Sequence, residues 1–246
     1  MSGRKSIVFM DEFEKTSKEV RNALLLPFEN GEYMDRRISM KVNCSETIWI
    51  LATNAFDDTI HEFCRTNRKA IFNNNTAGSR HSSLMKQLSA RLREECVSHL
   101  GAPLTGRIAK IVPFLTFSPD EAAVVADKGI MELEARLAQP VKLPPTKQGD
   151  NLVGNIRLDV TNDCVVCSKV ADDRYVPGLG ARSIFVGVDE VIADPLVDQY
   201  LENGEDFAED QKETRFTVGV DSGKEVDVWL TPAENHAVSS PRNPPS

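Results

Sequence analysis

Apolar residues run without interruption from Ile7 to Met10, and again from Ile48 to Ala52. The first run ends in Asp11-Glu12 and the second in Thr53-Asn54. Short continuous apolar runs predict buried strands. Between them, Val20, Ala23, Leu24 and Phe28 recur at helical spacing. Thr16 or Ser17 can cap that helix, and Asn30-Gly31 stops it. Residues 32–46 are polar and basic and predict a hairpin or exposed loop. Two buried strands joined through a helix imply a parallel pair with a right-handed crossover. Asp11, Glu12 and Asn54 then share the carboxyl edge of one sheet, where ligands bind in open α/β folds.

Further on, Leu84, Leu88, Leu92 and Cys96 mark an amphipathic helix at i, i+4 spacing. It follows a basic stretch, residues 65–69, and an Asn-rich segment, residues 73–79, that predicts a flexible loop. Ile108, Ile111, Val112 and Phe114 predict a short strand region. Ser118-Pro119-Asp120-Glu121 opens a helix: Ser118 caps, Pro119 suits the first helical position, and Glu121 completes a capping box. That helix extends to about Ala138, with Val125, Gly129, Ile130, Leu133 and Leu137 on one face. Residues 139–151 predict a loop. Ile156, Leu158 and Val160 alternate with polar residues as in a half-buried strand. A short helix over about residues 162–172 leads to Gly178-Leu179-Gly180, whose glycines permit a turn before Arg182. A helix follows over residues 184–201, bent near Pro195. Residues 213–220 and 225–230 predict a hairpin around Asp221-Ser222-Gly223. Residues 232–246 lack apolar periodicity and predict a disordered tail.

Two carboxylates and an amide at a sheet edge have a specific chemistry. One carboxylate can hold Mg²⁺ indirectly, and the other can activate a water to attack a γ-phosphate. Asn54 can orient that water or touch the phosphate. Taken singly, acids ending a strand serve solubility, and an asparagine there opens a turn. Cys164-Val165-Val166-Cys167 has metal-type spacing but no second pair, and a buried helix face explains it better. Cys96 with His99, and His61 with Cys64, supply too few ligands for zinc.

The chain resembles the AAA+ ATPases of the Clp chaperone family at four places in the family's order. Residues 7–15, IVFMDEFEK, resemble the Walker B segment, and residues 50–54, ILATN, resemble sensor 1. Residues 102–114, APLTGRIAKIVPF, resemble the arginine-finger segment. Residues 175–183, YVPGLGARS, resemble sensor 2. Thr105-Gly106 stands before Arg107 where the family usually has Leu-Asn. The resemblance implies an ATP- and Mg²⁺-using ring motor that unfolds or disaggregates protein clients. Its subunits would associate with other AAA+ subunits, by resemblance as a hexamer. Residue by residue, it implies that Asp11 is the Mg²⁺-linked aspartate, Glu12 the catalytic glutamate and Asn54 the sensor 1 amide. Arg107 is implied as the finger reaching a neighbour's nucleotide, and Arg182 as the sensor 2 arginine. The implied fold is α/β: a partial P-loop large domain with a parallel-sheet remnant over residues 1–117, then a small α+β lid domain over 118–231.

One departure is large. No Gly-x-x-x-x-Gly-Lys-Ser/Thr occurs in the sequence. Gly149 and Gly154 have the spacing, but Asn155-Ile156 follows them. A P-loop unit of roughly 30 residues cannot fit before Ile7. Either the chain is truncated or it has lost nucleotide binding. Retention of the Walker B pair and both arginines favours truncation. The alternative function is a non-catalytic interaction or regulatory module derived from an AAA+ subunit.

Composition narrows the picture only slightly. With 29 basic and 37 acidic residues the formal net charge is −8, which argues against nucleic acid as the main partner. No apolar run approaches the roughly 20 residues of a membrane span. Five cysteines without framework spacing fit a reducing compartment. Cytoplasm is the expectation, with room for an upstream targeting segment lost from the N-terminus.

Overall fold

The structure is a computed structural model that describes residues 5–35, 37, 39–72, 79–139, 141–142, 152–153, 155–202, 213–222 and 224–231. The chain divides into two compact units, Met1–Thr116 and Phe117–Ser246. The fold is mixed α/β, with a small parallel sheet in the first unit, as expected for a partial AAA+ large domain with a lid.

In the first unit, β1 (Ser6–Met10) pairs in parallel with β4 (Thr47–Leu51). The register sets Ile7 opposite Ile48, Phe9 opposite Ile50 and Met10 opposite Leu51. The connection between them contains α1 (Lys18–Ala23), α2 (Leu25–Asn30) and the antiparallel hairpin β2 (Glu32–Asp35) and β3 (Met40–Asn43). Ser17 caps α1 by accepting from the Val20 N–H. The single helix expected here is two, divided at Leu24. Pro27 supplies the reason: it has no N–H to bond the Ala23 carbonyl, so a continuous ladder would lose a rung there. Gly31 ends α2 with φ +66, and a Cβ on it would come within 2.8 Å of Ser45, so this turn requires glycine.

One face of the β1–β4 pair packs on its helices. Met10, Trp49 and Leu51 join Phe13, Leu24, Phe28 and Leu104, with the Phe28 and Trp49 rings edge-on at 5.3 Å. The opposite face carries Ile7, Phe9, Ile48 and Ile50, all exposed. The two strands are therefore covered on one face only among the described residues.

A second cluster lies between α3 (Asp57–Phe72) and α4 (Ser79–Leu100): Phe56, Leu88, Leu92 and Cys96 are buried, with Ile60 and Phe63 against them. The Leu stripe on α4 is thus core. Helix α3 was not expected; it absorbs the basic stretch 65–69 as a solvated face. Residues 73–78 of the expected loop lie outside the described residues. The expected strand region over residues 108–114 does not form. That stretch is irregular and pairs with neither β1 nor β4. Ile111 and Leu115 pack on the α4 cluster instead, while Val112 and Phe114 face solvent. Its apolar residues find a helix surface, and a strand needs a ladder partner.

The second unit opens with α6 (Pro119–Leu137), after the short α5 (Ala102–Thr105) of the first. Its capping box is complete: the Glu121 N–H donates to Ser118 Oγ, and the Ser118 N–H donates to Glu121 Oε2. The described part of the expected 139–151 loop includes β5 (Val141–Lys142), paired with β6 (Leu152–Val153). A three-stranded sheet follows in the order β7 (Ile156–Val160), β8 (Thr214–Val220), β9 (Val226–Leu230). β7 runs parallel to β8, and β8 forms the expected hairpin with β9. Helices α7 (Asp163–Arg174), α8 (Ala181–Val188) and α9 (Asp194–Glu202) contribute to a core centred on Val166, Val170, Ile184, Ile192, Leu196, Phe216 and Val218. The expected bend near Pro195 is a π-turn over Asp189–Ala193, where the Asp194 N–H reaches back to the Asp189 carbonyl. Pro195 cannot donate to the preceding turn, and the wider turn absorbs the missing rung. The tail, residues 232–246, lies outside the described residues.

Candidate functional site

The carboxyl ends of β1 and β4 lie side by side. The Ala52 N–H donates to the Met10 carbonyl, and the Phe13 N–H donates to the Ala52 carbonyl, each at 2.9 Å. The ladder thus extends past both strands and fixes Asp11-Glu12 beside Thr53-Asn54. Asp11, Glu12 and Asn54 are all exposed at this edge.

Glu12 adopts a left-handed backbone, φ 49 and ψ 43, and its N–H donates to Asp11 Oδ1 at 2.9 Å. A non-glycine residue held there costs about 1–2 kcal/mol. Strain of this kind gathers at functional positions. The Lys15 ammonium donates to Glu12 Oε1 at 2.5 Å, and that hydrogen bond holds the lysine above its ordinary pKa.

Glu14 was not anticipated from the sequence. The Thr53 hydroxyl bonds its carboxylate and holds it below the ordinary carboxylate range, against the opposing effect of burial. Backbone bonds from Glu14 itself and from Asn54 add to this. Its Oε2 is buried without a partner among the described residues. Glu14 therefore ties the turn after β1 to the segment carrying Asn54. Arg21 braces the same turn from behind. Its guanidinium donates to the Glu14 carbonyl at 2.7 Å and to the His99 carbonyl at 2.9 Å.

Arg107 follows α5 and is three-quarters buried. Its guanidinium donates to the Pro103 carbonyl at 2.5 Å and forms an ion pair with Glu29 of α2. Its Nε is buried without a partner among the described residues. Arg93 of α4 clamps the surrounding chain, donating to the carbonyls of Thr105 and Ile108. Glu14, Glu29 and Arg93 carry no local motif. Their partners lie far along the chain, so spacing could not reveal them.

Arg182 belongs to the second unit. It stands in the first turn of α8, exposed, with no ion-pair partner among the described residues. Gly180, at φ 57 and ψ −141, makes the turn before it. Ser183 pins that turn, donating to the Gly180 carbonyl at 2.8 Å and accepting from the Val176 N–H at 3.0 Å.

The donor set agrees with indirect Mg²⁺ binding. No group of three or more His, Cys, Asp or Glu among the described residues could hold a metal ion by itself. Mg²⁺ commonly takes one or two carboxylates and completes its shell with phosphates and water. Asp11 fits that demand. A phosphate-cradling loop does not occur in the sequence. No helix among the described residues is long and apolar enough to cross a membrane.

Comparison with known proteins gives the same direction. The family described as AAA domain (Cdc48 subfamily) matches residues 2–111. The ATP-dependent Clp protease ATP-binding subunit ClpC of Staphylococcus saprophyticus is 24% identical over 204 residues, covering 81% of this chain and 21% of that protein. ClpE of Bacillus subtilis, named likewise, is 24% identical over 200 residues, covering 81% of this chain and 24% of that protein. The chaperone protein ClpB of Chlamydia pneumoniae is 25% identical over 179 residues, covering 73% and 17%. The chain thus spans about a fifth of the length of these relatives. The resemblance read from the four motifs is borne out: this chain is similar to the Clp-type AAA+ ATPases.

Proposed function

We propose that the chain forms the part of a Clp-type module, from Walker B strand to lid, in which ATP hydrolysis drives protein unfolding or disaggregation within a ring of subunits. The observation that carries this proposal is the parallel pairing of β1 with β4, which brings Asp11, Glu12 and Asn54 to one edge. The names of the relatives, an ATP-binding protease subunit and a chaperone, support the same reading.

Mg-ATP, when bound, supplies the electrophilic phosphorus and the metal's charge. The chain's own groups would do the rest. Asp11 would hold the metal's water shell. Glu12 would accept a proton from the attacking water, after releasing Lys15. Asn54 would orient that water. Arg107 would lend positive charge to a neighbour's site, an effect of about 10³–10⁵ in rate for GTPases with such a finger. Arg182 would report nucleotide state to the lid unit. The phosphate cradle would come from outside residues 1–246.

A second reading is a non-catalytic module that packs against or regulates a complete ring. One experiment separates the two. By calorimetry, the chain alone should not bind Mg-ATP in the micromolar range. Joined behind a P-loop-bearing segment, it should hydrolyse ATP, and Asp11→Asn should abolish that turnover. Micromolar binding by the chain alone would contradict this account of the site, and a joined chain that binds ATP without turnover would favour the regulatory module.

A further inference from the structure

Arg21, in the last turn of α1, reaches two places that the proposed chemistry uses separately. On one side its Nε donates to Thr16 Oγ1 at 3.1 Å and its Nη2 to the Glu14 carbonyl at 2.7 Å. The Thr16 hydroxyl in turn donates to the Phe13 carbonyl at 2.6 Å. The turn that follows Glu12 is thus held through Phe13, Glu14 and Thr16. On the other side Nη1 donates to the His99 carbonyl at 2.9 Å, in the last turn of α4. Backbone bonds close the corner from there to Arg107. The Gly101 N–H donates to the Val97 carbonyl at 3.0 Å, the Thr105 N–H to the Gly101 carbonyl at 3.1 Å, and the Arg107 N–H to the Leu104 carbonyl at 2.9 Å. A groove of about 330 Å³ opens here, lined by Lys18 and Leu25 from α1 and α2 and by His99 and Pro103 from the corner. The guanidinium bridges the two sides. Its acceptors are three uncharged oxygens in different directions. A planar fork of donors satisfies them at once, where a single ammonium could not. Phe13 and Leu104 are buried in one cluster, and the bridge adds a directed tie to that apolar contact.

We propose that Arg21 is a positioning residue that ties the turn carrying Glu12 to the corner carrying Arg107, so that a subunit's own site and the finger it offers a neighbour move together. The proposal rests on the roles given above to Glu12 and Arg107. Arg21 touches neither residue. It acts through the Glu14 carbonyl and Thr16 on one side and through the His99 carbonyl on the other. When the turn shifts as Glu12 engages the attacking water, these bonds draw the end of α4 with it. When Arg107 leaves Glu29, the same bonds carry the shift of the corner back to the turn. Coupling of this kind is reciprocal, so a disturbance at either end is felt at the other.

The test is amide hydrogen exchange of the full chain, read by mass spectrometry. Arg21→Met, checked for native circular dichroism, should quicken exchange at least about tenfold in both residues 12–17 and residues 100–108, since each side loses a charge-assisted bond. Strand β8 should keep its rate. Arg107→Gln loosens the corner alone. It should quicken residues 12–17 when Arg21 is present and leave them unchanged in the Arg21→Met background. A merely structural Arg21 would not remove that response. If Arg21→Met fails to fold, Thr16→Val reads the tie from the other end and should quicken residues 100–108. Exchange quickened on one side only, a response of residues 12–17 to Arg107→Gln that persists without Arg21, or no response of residues 100–108 to Thr16→Val would each overturn the proposal. The readout needs no ATP, so it decides the tie by itself. Failure of the completed module to turn over ATP would count against the roles of Glu12 and Arg107 instead.

Discussion

The Arg107 guanidinium is closed on the Glu29 carboxylate, so the proposed finger rests against helix α2 of its own chain. To reach a neighbour's nucleotide it would have to leave Glu29. Glu29 is more than half exposed, so the pair is screened, and its coupling should be on the order of 0.2–1 kcal/mol. A double-mutant cycle with Glu29→Gln and Arg107→Gln, read by denaturant unfolding, measures it. A coupling of zero would mean that the ion pair does not hold Arg107 in solution.

If Arg107 acts on a neighbour, its loss and the loss of Glu12 should complement one another. In the completed, ring-forming protein, Arg107→Ala subunits and Glu12→Gln subunits should each be inactive alone. Mixed rings should recover activity wherever an intact Arg107 faces an intact Glu12. Confirmed co-assembly without recovery would exclude the trans role.

Glu14 sets an acid limit on the first unit. The Thr53 hydrogen bond lowers its folded pKa beneath the ordinary 4.5. A group shifted this way contributes stability that is present above the unfolded pKa and lost as pH falls through the folded one. Unfolding midpoints followed downward from about pH 5 should therefore fall more steeply in wild type than in Glu14→Gln. Parallel curves would show that Glu14 is not held as described.

The bare face of β1 and β4 should make the isolated chain associate. Ile7, Phe9, Ile48 and Ile50 form two in-register apolar pairs open to solvent. Analytical ultracentrifugation should show concentration-dependent association, reduced by Phe9→Ser with Ile48→Thr. A single monomer over a wide concentration range would mean that this face needs no cover.

The parts legible in the sequence were those with local grammar. Ser118 to Glu121 spelled a capping box, and the apolar runs at Ile7 and Ile48 spelled two strands that meet in register. Pro27 marked the break between α1 and α2, yet the apolar spacing around it read as one helix. Helix α3 escaped notice because Ile60, Phe63 and Cys64, which pack inward, sit along a polar, basic surface. The apolar residues of 108–114 read as a strand because periodicity says nothing about whether a ladder partner is available. In the proposed site, Asp11, Glu12 and Asn54 were legible from their place after apolar runs. Glu14 and Glu29 were not, because their roles depend on Thr53 and Arg107, which folding brings from elsewhere in the chain.

The central claim is that Glu12, carried by β1 to the edge beside Asn54, accepts the proton from the attacking water. The most direct measurement compares ATP binding and steady-state turnover of the completed module with Glu12 and with Glu12→Gln. The amide keeps the shape but cannot take the proton, so nucleotide affinity should persist while turnover falls by about 10²–10⁴. Turnover that survives the substitution within a factor of a few, with ATP bound equally well, would contradict the account.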